Sequence, residues 1–277
     1  MYKIGAFYCQ IAAGIKEAGL SDIKAAFEFA HSNGITELDF SSKEVGEGTA
    51  ELLRATDMHA ASVHGYLPLE FKTDALYNES LKNMCDAIDK AISVGSPYFM
   101  SVPQPPKGMD EADRPAFIEA VRAQFADICG YVKNKPITIT VEDFSLADSG
   151  YGTFEDIDYL LNNNPTLMFT YDSGNFPLAG IDEVEGAKRY TDRTVYVHLK
   201  DLKVVDETDP SPILRMGKYF DSLELGGGYL KNLEALRILK AAGYTEGVIT
   251  IEVNSSYDRL SRTLTSVGWL RQALGKI

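Results

Sequence analysis

The chain alternates short apolar runs with longer stretches of helical periodicity, and it does so eight times within 277 residues. A short apolar run without polar alternation suits a strand buried on both faces, and a following 3.6-residue period suits a helix that covers it. Repeated strand–helix units imply a parallel sheet. Eight of them imply an α/β fold closed into a (β/α)8 TIM barrel, here a single domain over residues 1–277. The expected strands are Tyr2–Tyr8, Ile35–Phe40, Ala60–Gly65, Tyr98–Val102, Ile137–Glu142, a run around Leu167–Thr170, Thr194–Leu199 and Val248–Val253. Helices are expected from Ser21, over about Glu44–Thr56, through Tyr77–Ile92, through Phe117–Val132, near Asp182–Tyr190, and over Leu233–Ala242 and Leu260–Leu274. Gly34 and Gly95 stop two of them. Thr153 and Asp156 form a capping box for another, running through Leu161. An open doubly wound sheet is the alternative, but no Gly-x-Gly-x-x-Gly follows the first strand.

One segment breaks the rhythm. Asp201–Tyr229 holds Pro210, Pro212 and the run Gly226-Gly227-Gly228. A loop this long in a compact domain suggests a functional element such as a lid; a disordered or hairpin insertion is the other reading. The glycine run is no phosphate loop, because it lacks the Lys and Ser/Thr and no strand directly precedes it.

In a closed barrel the C-terminal ends of all strands meet at one rim. Four consecutive runs carry metal-binding residue types there. ITITVED ends with Glu142 and Asp143, TLMFTYDSGN presents Asp172, TVYVHLKD carries His198, Lys200 and Asp201, and GVITIEV carries Glu252. Read alone, Asp172 equally fits the start of a turn, since Ser173, Gly174 and Asn175 follow it. Read together, three carboxylates and one imidazole suit a single divalent cation held by Glu142, Asp172, His198 and Glu252. The carboxylate-rich set leans toward Mn or Mg, with Co or Zn as alternatives.

Other residues flank that set. His64 ends the third strand and is either a substrate contact or a structural histidine. Lys200 lies two residues after His198, hence on the same side of a strand, and is a candidate for binding a substrate oxygen or carboxylate. Asp143 and Asp201 are candidates for orienting the ligands. Glu37 is a rim carboxylate or an ordinary polar strand end, and Tyr8 and Gln104 are candidate pocket residues. His31 and His59 fall on helical or turn stretches and read as surface residues.

The net charge of −13 argues against a nucleic-acid backbone or an anionic membrane as main partner. Three scattered cysteines fit a reducing compartment without disulfides, Cys85 and Cys129 reading as core packing. No targeting or membrane-spanning stretch is evident, so a cytoplasmic protein is expected.

The combination Val-Glu-Asp, Asp-Ser-Gly-Asn, Val-His-Leu-Lys-Asp, Leu-Gly-Gly-Gly-Tyr, Ala-Gly-Tyr and Ile-Glu-Val resembles the xylose isomerase-like barrel superfamily over nearly the whole chain. Within it the chain is most similar to the sugar phosphate isomerase/epimerase group, with its ketose 3-epimerases, hydroxypyruvate isomerases and inosose isomerases or dehydratases. The resemblance implies one ion on the four residues named above and Glu142 and Glu252 as an acid/base pair on opposite sides of a small keto-sugar, sugar or polyol. It implies proton transfer through an enediolate, or alternatively a lyase acting on a keto-cyclitol or keto-glycoside at the same site. Two positions depart from the ketose 3-epimerase pattern. Asn175 stands where a histidine is usual, and Val204 where an arginine is usual, with Lys200 and Lys203 as the nearby cations. Asn175 is thus a third candidate substrate contact beside His64 and Lys200. The apurinic-site endonuclease branch uses several histidines around three zinc ions, which four histidines and an acidic chain do not suit. The absence of an Arg/Lys cluster favours an unphosphorylated substrate. The group implies a possible homo-oligomer, for which Trp269 is a candidate interface residue.

Overall fold

A computed structural model describes residues 2–144 and 149–277. Its centre is a closed barrel of eight parallel strands. In chain order the first seven are β1 (Tyr2–Phe7), β2 (Glu37–Ser41), β3 (His59–Pro68), β4 (Tyr98–Gln104), β5 (Thr138–Glu142), β6 (Met168–Asp172) and β7 (Thr194–Leu199). A separate three-stranded antiparallel sheet follows, formed by β8 (Asp201–Val205), β9 (Ile213–Arg215) and β10 (Lys218–Leu223). The barrel then closes through β11 (Gly247–Ile251), which lies between β7 and β1.

The strands bury opposite faces in different media. On β7, Val197 and Leu199 are fully buried on the helix side, while Tyr196 and His198 are fully buried on the barrel side. The same two-residue period puts Thr140 below Glu142, Thr170 below Asp172 and Thr250 below Glu252. The lower layer ties itself together: Thr170 Oγ1 donates to Thr140 Oγ1 at 2.8 Å, and the Tyr196 hydroxyl meets Thr250 Oγ1 at 2.6 Å. A hydroxyl floor therefore carries the four candidate ligands in the layer above it, at the C-terminal rim.

Several expectations shift. Tyr8 leaves β1 and starts a short helix, Tyr8–Ala12, succeeded by Gly14–Glu17. Buried Gln10 fixes that turn, accepting the Phe7 N–H at 3.4 Å and donating to Thr263 Oγ1 at 2.6 Å. The second helix is only Thr49–Ala55, because Gly48 sits at φ +83° and starts it late. His59 opens β3 rather than lying in a turn, though it is exposed as expected. The Thr153–Asp156 capping box is present at the head of Phe154–Asn163. Residues 201–229 fold as an ordered insertion, the three-stranded sheet described above. Asp201 holds its return: the carboxylate accepts the N–H groups of Leu202, Gly226 and Leu230 at 3.0, 2.8 and 3.1 Å. A side chain on Gly228 would collide with that carboxylate, which explains one of the three glycines. Trp269 is partly buried against Gly226 and the core. No helix among the described residues is long and apolar enough to cross a membrane.

Candidate metal centre and substrate pocket

Glu142 ends β5, Asp172 ends β6, His198 lies one residue inside the end of β7, and Glu252 directly follows β11. Each offers one ligand atom, and these four atoms lie within 4.8 Å of one another. His198 Nδ1 is 2.6 Å from Glu142 Oε1, 3.6 Å from Glu252 Oε2 and 3.8 Å from Asp172 Oδ2. Its other nitrogen, Nε2, is 3.0 Å from Asp39 Oδ2, which also accepts the Tyr196 hydroxyl at 2.7 Å. A carboxylate on the far nitrogen fixes the ring and its tautomer, leaving Nδ1 for the site.

The turn and ligand readings of Asp172 are both realised, one on each oxygen. Oδ1 accepts the N–H groups of Gly174 and Asn175 at 2.7 and 2.9 Å. Oδ2 is buried and accepts no hydrogen bond from the described residues. The Lys200 ammonium lies 3.0 Å from it, as an ion pair outside hydrogen-bonding geometry. That ammonium is also 2.9 Å from Glu252 Oε1 and 2.8 Å from Asn175 Oδ1. Asn175 Nδ2 donates to Glu142 Oε2 at 3.2 Å. Asp143 Oδ1 accepts the Asp172 N–H at 3.2 Å, so Asp143 steadies the backbone of a ligand, whereas Asp201 touches none of them.

Burial dominates the electrostatics. It pushes Glu142 up to about 7 against the pull of His198. Burial also raises Glu252, with Lys200 opposing it. Asp143 is driven well above the usual carboxylate range by burial and by the Asp172 and Glu142 charges. Burial by itself would lower His198, but Glu142 and Asp39 outweigh it and hold the ring well above its ordinary value. Asp39, Glu142, Asp143, Asp172 and Glu252 are all buried, with Lys200 the buried lysine among them. Such a cluster demands positive charge. Three carboxylates, one oriented imidazole and an orphaned Asp172 oxygen fit a divalent cation.

A pocket of about 260 Å³ opens onto this group, lined in part by Phe7, His64, Tyr66, Met100, Glu142 and Glu252. Among the described residues no arginine or lysine lines it, and neither Tyr8 nor Gln104 does. The buried Nδ1 of His64 has no hydrogen-bond partner among the described residues. Burial pushes the ring down to about 4, so it is neutral at pH 7. Two larger clefts, about 480 and 570 Å³, lie where the strands begin and contain none of the four donors. Glu37 belongs to that opposite end. It is the first residue of β2 and pairs with Lys3 at 2.9 Å, so it is no part of the site. Asp39, two residues further on, is the partner that sequence reading missed. The available signal was parity: Asp39 follows Glu37 by one full pleat and therefore sits one layer higher on the same face.

The chain belongs to the xylose isomerase-like TIM barrel family, whose model matches residues 13–273. Similar solved structures include the IOLI protein with a bound zinc atom, at 14% identity and a TM-score of 0.76, covering 99% of this chain and 98% of that one. A D-tagatose 3-epimerase-like protein superposes with a TM-score of 0.75 at 16% identity, covering 99% and 97%. The 3-keto-D-glucoside 4-epimerase YcjR from E. coli gives 0.72 at 14% identity, covering 98% and 100%. At these identities the likeness is one of fold. No curated protein sequence matches the chain.

Proposed function

We propose that this chain is a divalent-metal-dependent isomerase or epimerase for a small, unphosphorylated keto-sugar, sugar or polyol. Glu142, Asp172, His198 and Glu252 hold the ion, with Mn or Mg favoured over Co or Zn. The observation that carries the reading is the convergence of their four ligand atoms within 4.8 Å, beside a pocket that Glu142 and Glu252 line. Names among the structural neighbours, such as L-ribulose 3-epimerase and D-allulose 3-epimerase, support the substrate class.

When bound, the ion polarises a carbonyl and stabilises negative charge on the adjacent oxygen. The chain supplies the rest. Glu142 carries a proton to and from the substrate carbon, a role worth about 10²–10⁴-fold. Glu252 is its counterpart, though its Oε1 already accepts Asn254 Nδ2 at 2.7 Å and lies 2.9 Å from the Lys200 ammonium. Neutral His64 offers its free Nδ1 to a substrate hydroxyl. Asn175 and Lys200, which do not line the pocket, set the orientation of the carboxylates. A pocket without cationic lining favours an uncharged substrate over a phosphorylated one.

The test is elemental analysis of protein purified without chelator, for the wild type and for Glu142→Gln, Asp172→Asn, His198→Ala and Glu252→Gln. About one ion per chain, lost in the variants, is expected. A keto-sugar panel read by mass spectrometry and NMR follows. Conversion without mass change supports isomerase or epimerase chemistry, and loss of water indicates a lyase instead. Protein that refuses Mn, Co and Zn alike overturns the reading.

A further inference from the structure

Lys200 is held with unusual completeness for a lysine. Its backbone is fixed on both sides: its N–H donates to Ser173 Oγ at 3.0 Å, the Ser173 hydroxyl donates back to its carbonyl at 3.1 Å, and Asn232 Nδ2 donates to the same carbonyl at 2.8 Å. Its aliphatic stem runs over Gly174, where an added Cβ would come within 2.6 Å of both Cβ and Cδ of the lysine. The residue is 4% exposed, and its ammonium ends 2.8 Å from Asn175 Oδ1, 2.9 Å from Glu252 Oε1 and 3.0 Å from Asp172 Oδ2. Two of those three partners are carboxylates already assigned to the ion. Glu252 is divided between its oxygens. Oε1 faces Lys200 and Asn254, while Oε2 faces His198 Nδ1 at 3.6 Å.

We propose that Lys200 is a resident cation of the rim site: it holds Asp172 and Glu252 in place in the metal-free chain, and it lowers the affinity of those carboxylates for a divalent ion. The inference rests on the metal reading above. Buried carboxylates repel one another strongly in a poorly screened interior. A fixed ammonium offsets part of that repulsion without leaving or exchanging. The same ammonium repels an arriving dication, so the site folds empty and takes up its ion reversibly instead of requiring it for folding, as structural metal domains do. Lys200 is thus a positioning residue toward the ion.

The test compares wild type with Lys200→Met, both stripped with chelator and dialysed, by calorimetric titration with Mn²⁺ and by thermal melting with and without Mn²⁺. Lys200→Met is expected to bind Mn²⁺ at least tenfold more tightly, to melt lower without metal, and to gain more from added Mn²⁺ than the wild type gains. Equal or weaker Mn²⁺ binding by folded Lys200→Met overturns the proposal. If that variant folds neither with nor without Mn²⁺, the double variant Asp172→Asn/Lys200→Met decides. Recovery of metal-free folding supports the pairing, and a second failure overturns it. The two readings separate in the wild type. Wild-type protein that takes up no metal while Lys200→Met does supports Lys200 as the occupant. No uptake by either overturns both.

Discussion

The two ends of the barrel carry the same residue types to opposite effect. Where the strands begin, Lys3, Glu37 and His59 form a small charged group, with Lys3 57% and His59 58% exposed. Where they end, Glu142, His198 and Lys200 form a similar group in which nothing is more than 5% exposed. In the first, Glu37 is itself buried but both of its partners reach into water, and ion pairs made by such exposed side chains contribute little. The second is desolvated, its charges unbalanced, and among the described residues one oxygen each of Asp39, Asp143 and Asp172 is left without a hydrogen bond. Carboxylate, imidazole and ammonium do not make a site by being at a strand terminus. Depth below the rim, and the polar layer that lifts them to it, decide whether the charges are spent on solubility or stored for binding.

The largest consequence is at the buried end. His198→Ala and Glu142→Gln should each abolish stoichiometric metal content and reduce turnover of a responsive keto-sugar by more than about 10²-fold. Glu142→Gln should leave the metal-free fold intact, because it removes one charge from a crowded, desolvated cluster, whereas His198→Ala removes a cation that faces Glu142 and Asp39 and should melt lower without metal. The check is metal content and kcat beside a melting curve. A variant that keeps its ion, or one that simply unfolds, breaks the contrast between the two ends.

Next is Asp39, which touches no substrate-facing group and acts through His198. Asp39→Asn keeps the shape but replaces a charged acceptor with an amide, and such outer partners typically account for about 10–100-fold in metal affinity. Mn²⁺ titration should show a loss in that range, while His59→Ala, at the other end, should show none.

How much of this could be read in the chain follows the same division. The eight units, the rim and the set Glu142, Asp172, His198 and Glu252 were visible because strand periodicity and strand ends are written locally, in runs such as ITITVED and TVYVHLKD. Glu37 and Asp39 were not separable, because ELDF does not say where its strand begins; a two-residue error exchanges the two ends of the barrel. Lys200 was expected to face substrate, and its parity with His198 was right, but its ion pairs with Asp172 and Glu252 depend on the bare Gly174 backbone of a neighbouring strand end. The hairpin of residues 201–229 was read as a lid because its strands are short and its anchor, Asp201, acts on glycines 25 to 27 positions away.

The buried end should also give the metal-free protein an inverted pH profile. Glu142 is raised by burial to about 7, above its unfolded value, and His198 is raised as well. A raised folded value means that the native state binds more protons than the unfolded chain, so stability falls as pH rises. For Glu142 the contribution is fully present below about 4.5 and lost as the pH passes about 7. Metal-free protein should therefore melt several degrees higher at pH 5.5 than at pH 8, and Glu142→Gln should flatten that difference. Metal reverses it, since the ligands must shed protons to bind, so the Mn²⁺-induced rise should be greater at pH 8.

The smallest effect belongs to Lys3. Its ammonium is 2.9 Å from Glu37 Oε1, a distance as short as the Lys200–Glu252 pair at the other end. Distance is therefore held constant between the two, and only solvation differs. Lys3 has water as an alternative partner, and Glu37 keeps the Thr36 hydroxyl at 3.4 Å and His59 at 3.7 Å after the lysine is gone. Lys3→Ala should cost less than about 1 kcal/mol, a shift of roughly 3 °C or below, with metal affinity unchanged. Added salt should shrink even that, because the exposed ammonium of Lys3 is screened and the buried one of Lys200 is not. A loss of several kcal/mol, or any change in metal binding, would mean that the two ends communicate through the barrel interior, along the column that links Glu37 to Asp39 and Asp39 to His198.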